Sequence, residues 1–282
     1  MKILPFIIAL LICQVSWTQN IYGSVSGGYQ RVVQESQPPL RIVNSSHTLA
    51  DPWFTKPVYL SFSEVLRTDL NLGHFLTKNL GYELSGSYLK PLTEITDDGY
   101  TNSQLSGRFY QASFKVILSK KINRFDVYAK MGVNFAKGIM YYDQKVYGLD
   151  YQVHGRNEAR SIYEYSDGAQ WGFNSALGFS FNLNHRLSVF SEVYAIYQPF
   201  EPERGQMTHL TYDDENMMQY DNDPYSSEIQ FVEESNSYYY DIGETSQPEK
   251  MYKRSYSLGG IGINLGVKVI LFAKKEELNP AP

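Results

Sequence analysis

Apolar side chains recur at every second position over most of this 282-residue chain, and that period constrains its fold more than any other feature. A strand sends successive side chains to opposite faces, whereas a helix groups them every three to four residues. In 125–138, "FDVYAKMGVNFAKG", one face carries Phe125, Val127, Ala129, Met131, Val133 and Phe135. The other carries Asp126, Tyr128, Lys130, Gly132, Asn134 and Ala136. Eight such segments of about ten residues or more follow one another: 20–32, 65–76, 80–90, 109–119, 125–140, 170–182, 187–197 and 255–272. The pattern predicts an all-β chain.

The connections between these segments fall into two classes. Three are short, basic and Asn-containing: "TKN" at 77–79, "KKINR" at 120–124 and "LNHR" at 183–186. Four are long: 33–64, 91–108, 141–169 and 198–254. Short and long alternate strictly, as they must when every other connection of an up-and-down antiparallel barrel lies at the same end.

The period alone does not say whether the apolar face meets lipid or a core. A soluble eight-stranded barrel of the lipocalin kind shows the same alternation with the apolar residues inside. The opposite face decides between them. In "QWGFNSALGFSFN" Trp171, Phe173, Leu177, Phe179 and Phe181 face Gln170, Gly172, Asn174, Ala176, Gly178 and Ser180 across the strand, and a water-exposed exterior would instead carry Lys and Glu. In the last segment Ile261, Ile263, Leu265, Val267, Val269 and Leu271 are continuously apolar, opposite Gly262, Asn264, Gly266 and Lys268. A small, polar interior under an apolar outer band suits a barrel that spans a bilayer.

The same alternation turns Arg67, Lys115, Lys130 and Lys268 inward, together with Asp69, Glu83, Asp126 and Glu192. Equal numbers of each sign predict a lumen crossed by ion pairs, with Glu83 or Glu192 as partner of Lys130, because an unpaired buried charge is costly. Tyr82, Tyr88, Tyr110, Trp171 and Tyr197 fall on the lipid side and suit an aromatic girdle at the headgroups. On this reading Met131→Arg blocks membrane assembly and Asn134→Arg is better tolerated.

The first nineteen residues, MKILPFIIALLICQVSWTQ, have the basic start, apolar run and small-residue end of a secretory signal peptide. Cys13, the only cysteine, lies inside it, so the remaining chain has no disulfide, cysteine metal site or cysteine nucleophile. Beyond 19 no apolar run is long enough for a transmembrane helix. In the last segment Asn264, Gly266, Val269 and Leu271 match the polar-x-Gly-x-x-apolar-x-apolar pattern that outer-membrane barrels present to their assembly machinery, although "AKKEELNPAP" follows Phe272. The chain thus resembles the small outer-membrane barrels of Gram-negative bacteria, the OmpA/OmpX-like transmembrane domains and "porin family" proteins. That resemblance implies an eight-stranded antiparallel transmembrane β-barrel with short periplasmic turns and long extracellular loops, located in the cell outer membrane. It divides the chain into a signal peptide (1–19), a barrel domain (20–272) and a short periplasmic tail (273–282), with outer-membrane lipid and the barrel-assembly machinery as partners.

The connection 198–254 is the most individual part. Between Pro199 and Tyr252 thirteen carboxylates (Glu201, Glu203, Asp213, Asp214, Glu215, Asp221, Asp223, Glu228, Glu233, Glu234, Asp241, Glu244 and Glu249) stand against Arg204 and Lys250, a local charge of −11 in a chain whose total is −5. It is the expected contact for an extracellular partner, and "YDDEN" and "YDNDP" lack EF-hand spacing, so no metal is expected. The five histidines, His47, His74, His154, His185 and His209, form no HxxxH or HExxH motif. His154 and His209 with Asp213 or Asp214 are the only loop combination available to a barrel enzyme, and no motif supports it. No phosphate-binding glycine loop, cofactor motif or basic nucleic-acid patch is present. The expectation is a non-enzymatic outer-membrane barrel of structural or surface-interaction role, with a narrow solute channel as the alternative and a hydrolase or acyltransferase barrel as a further one.

Overall fold

The computed structural model describes residues 21–33, 60–97, 101–147, 158–212, 215–216, 228–232, 249–252 and 255–272. The period-two segments are the strands β1 (Ile21–Val32), β2 (Glu64–Phe75), β3 (Leu80–Pro91), β4 (Thr101–Ile122), β5 (Phe125–Tyr147), β6 (Ala169–Asn182), β7 (Leu187–Tyr197) and β8 (Gly260–Phe272). Each pairs antiparallel with the next. Strand β8 pairs with β1, from Tyr22↔Ile270 to Val32↔Gly260, and closes an eight-stranded barrel. Closure removes the free edges that an open sheet of this size would expose.

Local side-chain chemistry makes the three short turns. After β2, Thr77 Oγ1 accepts the backbone N–H of Asn79 and of Leu80, at 3.2 and 2.9 Å. After β6, Asn184 Oδ1 accepts those of Arg186 and Leu187, both at 2.8 Å. Between β4 and β5, Asn123 adopts a φ of 57°, a conformation Asn tolerates better than most residues. All three turns lie at one end of the barrel.

The inward face alternates large rings with glycine. Tyr22 lies opposite Gly73, Phe109 opposite Gly138, Tyr128 opposite Gly178, and Tyr194 and Phe190 opposite Gly262 and Gly266. Each ring lies across the neighbouring strand where that strand has no side chain, so aromatics fit a narrow interior. A Cβ at Gly178 would come within 2.6 Å of the Tyr128 ring.

At the other end the strands outrun the barrel. The segment expected at 109–119 is only the barrel part of β4, and β5 continues past 140 to Tyr147. The two pair as an arm from Gly107↔Met140 to Thr101↔Val146. Glu94–Asp97 adds to one side of this arm. On the other side lie Glu158–Ser166, Arg204–Tyr212, Glu228–Val232 and Glu249–Tyr252, the last pair parallel. Parts of the long connections are therefore sheet.

The segment expected at 255–272 is also interrupted. Leu258 donates its N–H to the Gln198 carbonyl at 2.8 Å, and its own carbonyl accepts Gln30 Nε2 at 2.6 Å, so these groups are withdrawn from the β8 ladder. Tyr256–Ser257 joins a small separate sheet with Pro199–Phe200 and Leu60–Ser61.

Candidate functional site in the barrel lumen

Alternation carries the chemistry inward, and closure stacks it in layers. Nearest the short turns, Lys268 Nζ lies 3.9 Å from Asp126 Oδ2 and donates to Ser180 Oγ at 3.3 Å. Asn182 Nδ2 also donates to Asp126, at 3.2 Å. The next layer is a four-charge cluster. Lys130 Nζ sits 2.9 Å from Glu83 Oε2 and 2.6 Å from Glu192 Oε1, and Lys115 Nζ sits 3.2 Å from Glu83 Oε1. Tyr22 donates its hydroxyl to Glu83 at 2.7 Å, and Tyr128 donates to Glu192 at 2.9 Å. Lys130 also lies over the Tyr128 ring, 5.1 Å from its centre.

Above this cluster Arg67 Nε meets Asp69 Oδ1 at 2.6 Å, and Arg67 donates to Ser87 Oγ at 2.8 Å. Asn264 Nδ2 donates to Asp69 at 2.9 Å and to Ser26 Oγ at 3.0 Å. Asn174 donates to Asn134 across the same level. Then comes a glutamine layer, in which Gln111 Nε2 donates to Gln198 Oε1 at 3.1 Å and Gln198 Nε2 to the Gln170 carbonyl at 3.1 Å.

An apolar lid covers the loop end. Phe62, Phe109, Phe200, Met140 and Tyr256 are almost completely buried together, with ring centres 5.7 Å apart for Phe62–Phe109 and 4.9 Å for Phe109–Phe200. The small sheet anchors the lid, because Phe200 and Tyr256 lie on two of its strands and Phe62 follows the third.

The electrostatics are those of a filled interior. The space left among Tyr22, Phe75, Glu83, Ile117, Tyr128 and Lys268 amounts to about 20 Å³, room for about one water. Glu83 is 0% exposed and Lys130 7%. Charges held this deep are tolerated when each has a partner of opposite sign and its remaining hydrogen bonds are filled. The arrangement cross-links strands: Glu83 on β3 joins Lys115 on β4, Lys130 on β5 and Tyr22 on β1.

The structure therefore gathers Arg67, Asp69, Glu83, Lys115, Asp126, Lys130, Glu192 and Lys268 in one lumen, with Lys130 bridging both carboxylates that the sequence offered it. Asn264 and Gly266 also face inward, and Val269 and Leu271 face out. Asn134 is 0% exposed and accepts a hydrogen bond from Asn174. The sequence reading passed over Tyr22 and Tyr128, although the period places both on the inward face. It also passed over the lid: Phe62 and Phe200 lie on long connections without period, and Tyr256 falls in the part of the 255–272 segment that β8 leaves out.

Outside the lumen, Tyr88, Tyr110, Trp171 and Tyr197 are exposed on the outer face, and Tyr82 is half-buried against Phe114. His74 is also on the outer face, covered by the edge of Tyr82 at 5.4 Å. His209 lies on the loop-end sheet opposite Ile162. Residues 1–19, expected to be a signal peptide, residues 273–282, expected to be a tail, His47, His154, Asp213, Asp214 and the carboxylates at 221, 223, 233, 234, 241 and 244 lie outside the described residues. Among the described residues, no group of three His, Cys, Asp or Glu comes close enough to hold a metal ion. In comparisons with known proteins, no family model matches the chain and no curated protein shows significant similarity to it.

Proposed function

We propose that the protein is an integral outer-membrane barrel with a structural or surface-interaction role and a lumen closed by ion pairs and an apolar lid. One observation carries this reading: between its two rims the outer face is free of charged side chains and mostly apolar all the way round. Outward residues such as Val25, Leu70, Leu84, Phe114, Met131, Phe173, Leu177, Val193 and Leu265 are all exposed. Between Arg31, Lys90, Arg108 and Lys137 at one end and Lys120 and the short turns at the other, no outward barrel residue is Asp, Glu, Lys or Arg. Water does not tolerate an apolar surface of that extent on a monomer, whereas lipid requires it.

The dimensions support the same reading. From Arg108 to Lys120 the strand runs about 40 Å at ~3.3 Å per residue. A tilt of roughly 40° reduces this to about 30 Å along the barrel axis, the thickness of a bilayer's hydrocarbon core. The period-two pattern and the signal-like start point to the outer membrane, with the short turns in the periplasm. The loop-end sheet and the acidic connection 198–254 then face outward and supply the surface for an external partner. Asn264, Gly266, Val269 and Leu271 are the segment offered to the assembly machinery.

Cell fractionation together with gel migration tests the proposal. The protein is expected in the outer-membrane fraction, with a band that shifts when the sample is boiled. A protein that stays soluble without detergent and shows no heat-dependent shift would overturn the reading.

A further inference from the structure

The outer wall over β2, β3 and β4 is not uniform. Gly86 lies beside Leu70 on one side and Ala112 on the other, and these small residues floor an open groove of about 430 Å³ walled by Leu70, Leu72 and Leu84. Toward the loop end, the next outward pair along the strands is Tyr88 and Tyr110, with ring centres 5.5 Å apart. One step beyond the last paired residues, Leu89 and Phe109, the register brings Lys90 and Arg108 side by side. Both are exposed, and neither has a salt-bridge partner among the described residues, whereas nearby Lys137 is engaged by Asp167 at 3.3 Å.

Two cations without a salt-bridge partner among the described residues, at the rim of an apolar wall, need an anion that can reside there. The one described outward carboxylate on β1–β4, Glu64, is already opposite Arg31 and hydrogen-bonded to Tyr29. A second copy of this chain therefore offers no matching charge on this face. The groove floor at Gly86 lies about 13 Å below Lys90 along the strand at ~3.3 Å per residue. An acyl chain hanging from a headgroup at the rim reaches that depth within one leaflet, about 15 Å of hydrocarbon.

We infer that this face binds one phospholipid of net negative charge, its phosphate on Lys90 and Arg108 and an acyl chain in the groove over Gly86 and Ala112. The tyrosine pair between them sits at the level where ring bodies meet chains and hydroxyls meet headgroups. The inference rests on the membrane-spanning reading and adds a ligand to it.

The test uses the full chain refolded in dodecyl maltoside micelles containing phosphatidylglycerol or phosphatidylcholine at equal mole fraction, with retained lipid counted by native mass spectrometry. One phosphatidylglycerol is expected to stay bound in preference to phosphatidylcholine. Replacing Lys90→Gln and Arg108→Gln together should weaken retention at least tenfold, about the value of one lost charge-assisted hydrogen bond. Ala112→Leu, which raises the groove floor and leaves both cations in place, should also weaken it. Equal retention of the two lipids, indifference to Ala112→Leu, or full displacement by inorganic phosphate would each overturn the lipid site. A chain that needs no detergent would instead bring down the membrane reading beneath it.

Discussion

Replacing Glu83→Gln tests whether the lumen is a closed interior or a watery passage. Glu83 is 0% exposed and lies within salt-bridge distance of both Lys115 and Lys130. Lys130 keeps Glu192 after the change, but Lys115 loses its only carboxylate among the described residues. Breaking a buried pair by removing one partner costs about 3–5 kcal/mol, because the other charge remains desolvated and unpaired. In water-filled surroundings the same pair is worth about 0–1 kcal/mol. Equilibrium unfolding in urea, with the chain in detergent micelles and the folded fraction followed by gel migration and Trp fluorescence, separates the two cases. Glu83→Gln combined with Lys115→Met should recover most of the loss, since removing both charges also removes the unpaired one. A Glu83→Gln cost below about 1 kcal/mol would refute the reasoning, because it would mean that water already screens the cluster.

Three further outcomes follow from the same geometry. Met131 is 67% exposed near the middle of the outer belt; Met131→Arg there should cost about 2–4 kcal/mol, measured as the folded fraction in vesicles, with Met131→Leu close to neutral. Gly178→Ala should cost about 1–3 kcal/mol by forcing the Tyr128 ring aside, and that cost should shrink when Tyr128→Ala is already present; equal costs in both backgrounds would show that the ring is not the obstacle. In planar bilayers the protein should give no steady conductance over a range of salt concentrations, and persistent openings would remove the closed-lumen reading in favour of a narrow channel.

Much of the barrel was legible before any tertiary structure because strand side chains alternate with a period of two. That geometry counted the strands, located the three short turns where the alternation breaks at basic, Asn-containing stretches, and sorted the eight lumen charges from the apolar outer residues. Where the period stopped, so did the reading. The lid residues Phe62 and Phe200 come from separate connections, and with Tyr256, from the start of the 255–272 segment, they meet only when the barrel closes. The break between Tyr256–Ser257 and β8 follows from hydrogen bonds to Gln30 and Gln198, which lie far away in sequence.

Which charge meets which was likewise a tertiary decision. The sequence could offer Glu83 or Glu192 to Lys130, but the stagger of β3, β5 and β7 puts both within reach, and Tyr22 and Tyr128 complete their hydrogen bonding. Asn134 shows the same division: alternation turns it inward, and only the closed barrel shows that it is 0% exposed and bonded to Asn174. Period two is a property of the backbone and can be read locally, whereas packing and pairing depend on neighbours that closure alone brings together.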